Sequence, residues 1–264
     1  MKTLALIIYR YLIAFGINLI HLFYWIKNIP RYLTTYSKIR KKWAKKFWKI
    51  NLSYPCLWDK DDDSWTARWH YFHQDLLIAQ KIFKNNPNKH VDIWSRVDWF
   101  VAHVATFREI EVLDIRKNDS IIENIVFIQW DATAENTKYV EYADSVSCLH
   151  AIEHFGLWRY WDPIDVNGHI KGIEFINKML KKNWILYFST PIGKEQRIEF
   201  NAHRIFSLQY LYDILWIWAH YKLLSFSYVD DQGALHKNQD INIGIKDTYN
   251  LSYGCWIFEL QKID

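Results

Sequence analysis

The sequence predicts an α/β protein: a doubly wound, mostly parallel sheet with an antiparallel last strand, preceded by a helical N-terminal extension. Three observations carry this. From His90 onward, strand-like and helix-like apolar patterns alternate, which gives parallel strands covered by helices on both faces. The acids Asp92, Asp114 and Asp131 fall at or just past the ends of the first three strands, where such sheets bind ligands. The last two strands are joined by residues 230–252, which show no clear helix, so they pair antiparallel.

Leu4 to Ile26 is almost wholly apolar and approaches the ~20 residues of a membrane span. Arg10, Asn18 and His21 interrupt it and, at about 100° per residue, share one helix face. This narrow polar stripe predicts an interfacial anchor; a single span and a helix docked on the protein's own core are the other readings. No small-residue cleavage site follows, which argues against a signal peptide. Arg31, Lys38, Arg40, Lys41, Lys42, Lys45, Lys46 and Lys49 form a basic run without an acid, suited to lipid phosphates or to a solvated face. Residues 1–53 are therefore read as one helical segment and 54–264 as the sheet domain.

An acidic linker, Pro55 to Ser64, ends in a serine placed to cap a helix over 66–84, whose start carries His70, His73, Gln74 and Asp75. Strand 90–94, helix 97–107, strands 109–114, 125–129 and 144–149, helix 169–181, strand 184–189, helix 207–219 and strands 222–229 and 253–260 complete the pattern.

Net charge is +4 and half the residues are hydrophobic, enough for a sizeable core. The sheet domain shows no basic groove with interleaved aromatics, so nucleic acid is not expected as a partner. Cys56, Cys148 and Cys255 have no paired spacing, which fits a reducing, cytoplasmic location and no metal set; Cys148 and Cys255 lie in strand-like runs as small core residues. Fifteen tryptophans against eight glycines invert the usual ratio. Many occupy turn contexts such as Asp98-Trp99, Gln129-Trp130 and Asn183-Trp184, where glycine has a steric reason to stand and tryptophan has none. The reading drawn from this is that UGA codons mean glycine in the source organism and appear as Trp65, Trp69, Trp94, Trp99, Trp130, Trp158, Trp161 and Trp184. The alternative is a genuinely tryptophan-rich chain.

The stretch His90 to Phe100 runs strand, turn, helix, the arrangement that presents backbone N–H groups to a nucleotide-like cofactor. Asp92 and Asp98 flank the turn. Asp114 follows Ser95 by about 20 residues, the spacing of an acid that takes ribose hydroxyls. Asp131 is placed to accept from an adenine amino group. Beyond the fourth strand, His150, Glu153 and His154 offer imidazoles suited to general-base work. His150-x-x-Glu153-His154 also matches an inverted zinc-peptidase motif, but His150 closes a strand, so the two imidazoles should diverge.

Asp92-Ile93-Trp94, Asp114, Trp130-Asp131, Leu149–His154 and Leu180–Leu186, with glycine read at 94, 130 and 184, resemble the ordered motifs of class I S-adenosylmethionine-dependent methyltransferases, a Rossmann-like fold. Within it the chain is similar to a domain family of unknown function catalogued in Caenorhabditis and found in many bacteria. That likeness rests on His70–Asp75, Val91–Phe107, Ser147–Asp165 and Phe200–Arg204 and covers roughly residues 54–261.

The resemblance implies S-adenosylmethionine held by Asp92, Trp94, Ser95 and Asp98 at its methionine part, by Asp114 and Ile115 at the ribose, and by Asp131 and Ala132 near adenine. It implies catalysis by His150, Glu153 and His154, and an acceptor pocket drawing on His73, Asp162, His169, Asn201, His203 and Arg204. The expected reaction is methyl transfer to an oxygen of a small-molecule or glycan acceptor, in the cytoplasm at the inner face of a membrane touched by residues 1–50. A non-catalytic membrane-associated binding protein on the same fold, or a zinc hydrolase, are the alternatives.

Overall fold

The computed structural model describes residues 2–43, 57, 69–132, 137–160, 162–200, 202–219 and 221–264. The chain forms two compact units, Met1–Thr66 and Ala67–Asp264. The expected linker 55–64 with its Ser64 cap, like Lys45, Lys46, Lys49, Trp65, Trp161 and Asn201, lies outside the described residues, Leu57 excepted.

In the first unit, α1 (Lys2–Ala14) and α2 (Leu19–Trp43) replace the single helix expected over Leu4–Ile26. Gly16 takes a φ of 80°, which ends the first helix, and Asn18 Oδ1 accepts from the N–H groups of Ile20 and His21, which starts the second. The single polar stripe of Arg10, Asn18 and His21 presumed a continuous helix and does not survive the break. No described helix is alone long and apolar enough to cross a membrane; α1 and α2, bent by 75°, meet that criterion only together.

The second unit begins with α3 (His70–Asn85), followed by β1 (His90–Ile93). A π-type turn, Val97–Val101, leads into a single turn, α4 (Ala102–Ala105), a less regular segment than the expected helix 97–107. Then come β2 (Ile110–Asp114), β3 (Ile125–Gln129), β4 (Ala143–Leu149), α5 (Gly168–Met179) and β5 (Leu180–Ile192). A hairpin, β6 (Arg197–Glu199) and β7 (His203–Ile205), precedes α6 (Leu208–Ala219) and β8 (Tyr221–Val229). The connection from 230 to 252 carries β9 (Leu235–His236) and a one-turn helix, α7 (Ile241–Gly244), where no helix was expected, before β10 (Gly254–Lys262).

The main sheet has the order β3-β2-β1-β4-β5-β10-β8-β9. Strands β1 to β5 pair in parallel, and β10 lies antiparallel to both β5 and β8, as the joining segment implied. One face buries Ile78 and Ile82 of α3 and Phe100 and Val104 against Ile110, Val112 and Ile257. The other buries Ile173, Ile176, Leu211 and Leu215 of α5 and α6 against Val146, Leu186 and Phe258. The sheet is thus doubly covered. Cys148 and Cys255 sit on opposite faces of it, both reduced.

A polar chain runs between the two central strands. Ser147 donates to Asp92 Oδ1 (2.9 Å), so its oxygen is left to accept from His90 Nε2 (3.1 Å), and His90 Nδ1 then accepts from Ser145 (2.8 Å). Burial holds His90 down to about 3, consistent with a neutral ring throughout. Burial pushes Asp92 up to about 7, against the Ser95 and Ser147 hydrogen bonds that pull it down. A carboxyl raised in the folded state binds a proton that the unfolded chain has released above about 3.8. Its contribution to stability is therefore lost as pH rises from that value through about 7, a loss on the order of 4 kcal/mol. Asp92→Asn should leave the denaturant midpoint near pH 4 almost unchanged and raise it relative to the parent at pH 8. Equal effects at both values would show that Asp92 stays ionised.

Candidate functional site

The direction of winding reverses between β1 and β4, and ligands in such sheets bind in the crevice beyond the carboxyl ends of those strands. Two cavities lie there. The smaller, about 230 Å³, is enclosed by Trp94 and Ser95 after β1, His150 and His154 after β4, and Tyr71 and Gln74 of α3. The larger, about 820 Å³, lies over the ends of β1 to β3 and includes Asp98 and Asp114. Ser95, Arg96 and Arg116 line both, so the two spaces adjoin.

The chain leaves β1 through Trp94 at φ 67°, with its N–H given to Leu113 O (2.9 Å), and the Ser95 N–H turns back to Asp92 Oδ2 (3.2 Å). A left-handed residue is required by this reversal, and glycine is the residue that adopts it without a Cβ clash. The Trp94 indole fills the crevice instead, its ring 4.4 Å from Phe155 and 5.8 Å from Tyr160, with a buried Nε1 that has no partner. Among the suspect tryptophans, Trp69 (φ 94°) and Trp158 (φ 59°) are also left-handed. Trp99 takes φ −127°, ψ −106° inside the π-type turn, whereas Trp130 and Trp184 are not left-handed.

Asp98 points to solvent and pairs with Arg96 (2.7 Å). Asp114 stands at the end of β2 as expected, but Arg116 occupies both its oxygens: Nε lies 2.9 Å from Oδ1 and 3.1 Å from Oδ2, the backbone N–H 2.8 Å from Oδ1, and Nη2 pairs with Oδ2. The Arg116 guanidinium also lies 4.7 Å over Tyr160. Ile115 is half-buried against the core, Ala132 is fully buried, and Asp131 is half-buried beyond β3. Trp130 donates its backbone N–H to Asp114 O (2.9 Å) and packs on Tyr139.

Beyond β4, His150 turns the chain with φ 52° and brings three groups together. Its Nδ1 meets Glu153 Oε1 at 3.0 Å and its Nε2 meets Cys255 Sγ at 3.1 Å. Burial would lower His150, but Cys255 and Glu153 hold it well above the ordinary histidine value. Glu153 is 1% exposed; burial pushes it up, and His150 and His154 pull it below the usual carboxylate range. His154 differs: burial, with Arg159 beside it, lowers it against the pull of Glu153. Its Nδ1 lies 2.7 Å from Ala202 O, which only accepts, and 3.2 Å from Arg159 Nη1, which only donates, while its Nε2 lies 3.8 Å from Glu153 Oε1. An imidazole lowered by burial at the cavity wall, with a carboxylate beside its Nε2 to offset the charge of a bound proton, has the chemistry of a base.

The remaining expected residues divide. His203 lies near His154, ring to ring 6.2 Å, with a buried Nε2 that has no partner. Asp162 accepts from the N–H groups of Gly156 and Tyr160 and so folds the loop. Arg204 is buried and donates to the carbonyls of Phe155 (2.6 Å) and Glu153 (3.4 Å), bracing the turn after β4. His169 bonds Tyr210 (2.6 Å) on the far side of that turn, and His73 only edges Phe72. None of these five lines the two cavities. Arg116, Arg159, Tyr160 and Tyr71 line the smaller cavity without having been singled out. Arg116, Arg159 and Tyr160 stand in loops, which carry no periodic signal, and Tyr71 is an exposed position in the first turn of α3, so only the fold reveals them.

NodS, an N-methyltransferase from Bradyrhizobium japonicum, is similar over 74% of this chain and 97% of its own, with 11% identity and a TM-score of 0.50. An S-adenosylmethionine-dependent methyltransferase from Clostridium acetobutylicum is 12% identical over 87% of this chain and 100% of that chain, at 0.48. The 1,6-didemethyltoxoflavin-N1-methyltransferase of Burkholderia thailandensis, solved with S-adenosylhomocysteine, is 9% identical over 89% and 87%, at 0.47. At these identities the likeness concerns the fold, which is Rossmann-like. No curated protein matches the sequence. Residues 90–233, more than half of the chain and most of the lining of both cavities, match one family, and the chain belongs to it: the Caenorhabditis protein of unknown function family, DUF268.

Proposed function

We propose that the protein is an S-adenosylmethionine-dependent methyltransferase acting on an oxygen of a small-molecule or glycan acceptor. The observation that carries this reading is the meeting, at one switch point, of Asp114 after β2, the Asp92–Ser95 turn after β1 and the Glu153–His154 base after β4.

The polar groups fit the cofactor: a carboxylate for the ribose at Asp114, polar atoms at Ser95, and an adjoining space within the range of nucleotide pockets. One side chain does not fit. The Trp94 indole forms a wall of the smaller cavity and narrows it, and glycine there removes both the obstruction and the left-handed strain. This supports the recoding reading, in which codon 94 is UGA. The bound cofactor supplies an electrophilic methyl group. His154 Nε2 takes the proton that the acceptor oxygen loses as it bonds to the methyl carbon, and Glu153 offsets the charge that His154 gains. Tyr71, Trp99 and Phe100 close the smaller cavity against water.

The first unit supports a peripheral membrane role at the cytoplasmic face. Leu4, Leu6, Phe15, Phe23 and Ile26 are exposed, and Arg31, Lys38, Arg40 and Lys41 follow on α2. Full-length protein should sediment with vesicles containing anionic lipid and be released by salt, while residues 67–264 remain in solution. Equal sedimentation of both would remove the anchor.

Trp94→Gly should create calorimetric binding of S-adenosylhomocysteine that the tryptophan form lacks, and a UGG codon at most of the suspect positions would end the recoding idea. On that background, Asp114→Ala should weaken cofactor binding by roughly 1.5–3 kcal/mol, the range for hydrogen bonds to a charged group. His154→Ala should leave cofactor binding intact and lower turnover. A Trp94→Gly protein that binds neither S-adenosylmethionine nor its demethylated product leaves the non-catalytic binding protein as the standing alternative.

A further inference from the structure

We propose that His70, His150 and Cys255 form a binding site for a borderline-soft divalent transition metal, zinc in the first instance. The three residues come from the start of α3, the end of β4 and the start of β10, and only the fold gathers them. Their ligand atoms all lie within 4.8 Å of one another, and all three residues are buried. Tetrahedral zinc with two nitrogens and a sulfur sets donor-to-donor edges of about 3.3–3.6 Å. His150 Nε2 and Cys255 Sγ are already 3.1 Å apart, so small side-chain rotations close the shell.

The surroundings are those of metal ligands. A ligating imidazole gives its other ring N–H to an acceptor, which fixes its orientation and raises its basicity. His150 Nδ1 does this to the buried Glu153 carboxylate, at 3.0 Å. His70 does it to the Tyr253 backbone. The negative charge of Glu153, enclosed and held by Arg204 through its backbone, favours a cation at this point. Three protein donors leave the fourth tetrahedral position for water.

Cys255, His150 and Glu153 also have the connectivity of a cysteine–histidine–carboxylate nucleophilic triad. The geometry speaks against that use. Cys255 is 0% exposed and lines neither of the two cavities at the switch point nor the one beside His70, so an acyl group bound in any of them does not reach its sulfur. A metal ion needs only the closed shell. His154 is not part of the cluster, which separates this site from the motif His150-x-x-Glu153-His154.

The site stands independently of the methyl-transfer reading, and its test does not use turnover. Full-length protein, dialysed against Zn²⁺ and then metal-free buffer, should retain zinc in stoichiometric amount, and Co²⁺ in its place should give the near-ultraviolet thiolate-to-cobalt charge-transfer band. Cys255→Ser should lose that band and most of the metal, whereas Cys148→Ser, on the other sheet face, should keep both. Absence of retained zinc, a cobalt spectrum without the thiolate band, or equal loss in the two serine variants would overturn the site. Should Cys255→Ser fail to fold, the parent protein's cobalt spectrum decides alone.

Discussion

A carboxylate buried as deeply as that of Glu153 persists only if its neighbours offset the loss of water. Everything beyond β4 is arranged around this need. His150 and His154 approach Oε1 from two sides, and Thr190 reaches Oε2 at 3.4 Å. The left-handed backbone at His150 is what lets its imidazole fold back over the following turn, and Arg204 holds that turn through the carbonyls of Glu153 and Phe155. One charge thus fixes the base at the cavity, the histidine beside Cys255 and the route of the loop that closes the site. It also splits the two histidines: the one hydrogen-bonded to the carboxylate is held above the ordinary histidine value, and burial keeps the one that only approaches it below.

The exit from β1 is the opposite case, a place where local chemistry and fold disagree. A tight reversal between a strand and a helix sets a left-handed residue at position 94 whatever the side chain. For a bulky residue that backbone costs on the order of 1–3 kcal/mol, and the indole loses a hydrogen bond at Nε1 as well. Trp69, just before α3, and Trp158, in the loop over the cavity, repeat the conflict. Natural sequences avoid repeated disagreement of this kind. Glycine at these positions would relax the turns and open the crevice, and at 94 it would also remove a side chain that packs in the core on that sheet face. Trp256 makes the contrast: it is fully buried on β10 against Phe226 and Phe258, where a large aromatic belongs.

The sheet was legible because its signals are local. Alternation in Ile110–Asp114 places Val112 and Leu113 on opposite faces, and the missing helix between β8 and β10 implied their antiparallel pairing. Ends were less legible: β5 begins at Leu180, directly where α5 stops, because an extended Leu180 suffices to pass from one to the other. The break at Gly16–Asn18 had its signals in the sequence, a glycine and an asparagine two residues apart, but the apolar run around them dominated the reading. The positions of Asp92, Asp114, Glu153 and His154 followed from strand order. Their partners did not: that Arg116 takes both oxygens of Asp114, or that Cys255 meets His150 across 105 residues, depends on side-chain packing that no periodicity encodes.

Charge balance around the two cavities then narrows what fits them. Arg96 is neutralised by Asp98 and Arg116 by Asp114, so neither presents a free positive charge to a cationic sulfonium. A ligand hydroxyl could reach the Asp114 oxygens only if Arg116 gave up part of its hold on them, and the stacking of Arg116 on Tyr160 offers it an alternative rest. Arg159 is different. Among the described residues it meets the Ala202 carbonyl, the His154 ring and the face of Tyr160, and no carboxylate. It therefore stands beside the His154 imidazole with no carboxylate partner among the described residues. An acceptor bearing an anionic group would find a partner there, and that pairing would set its hydroxyl against His154 more firmly than the surrounding aromatic walls alone.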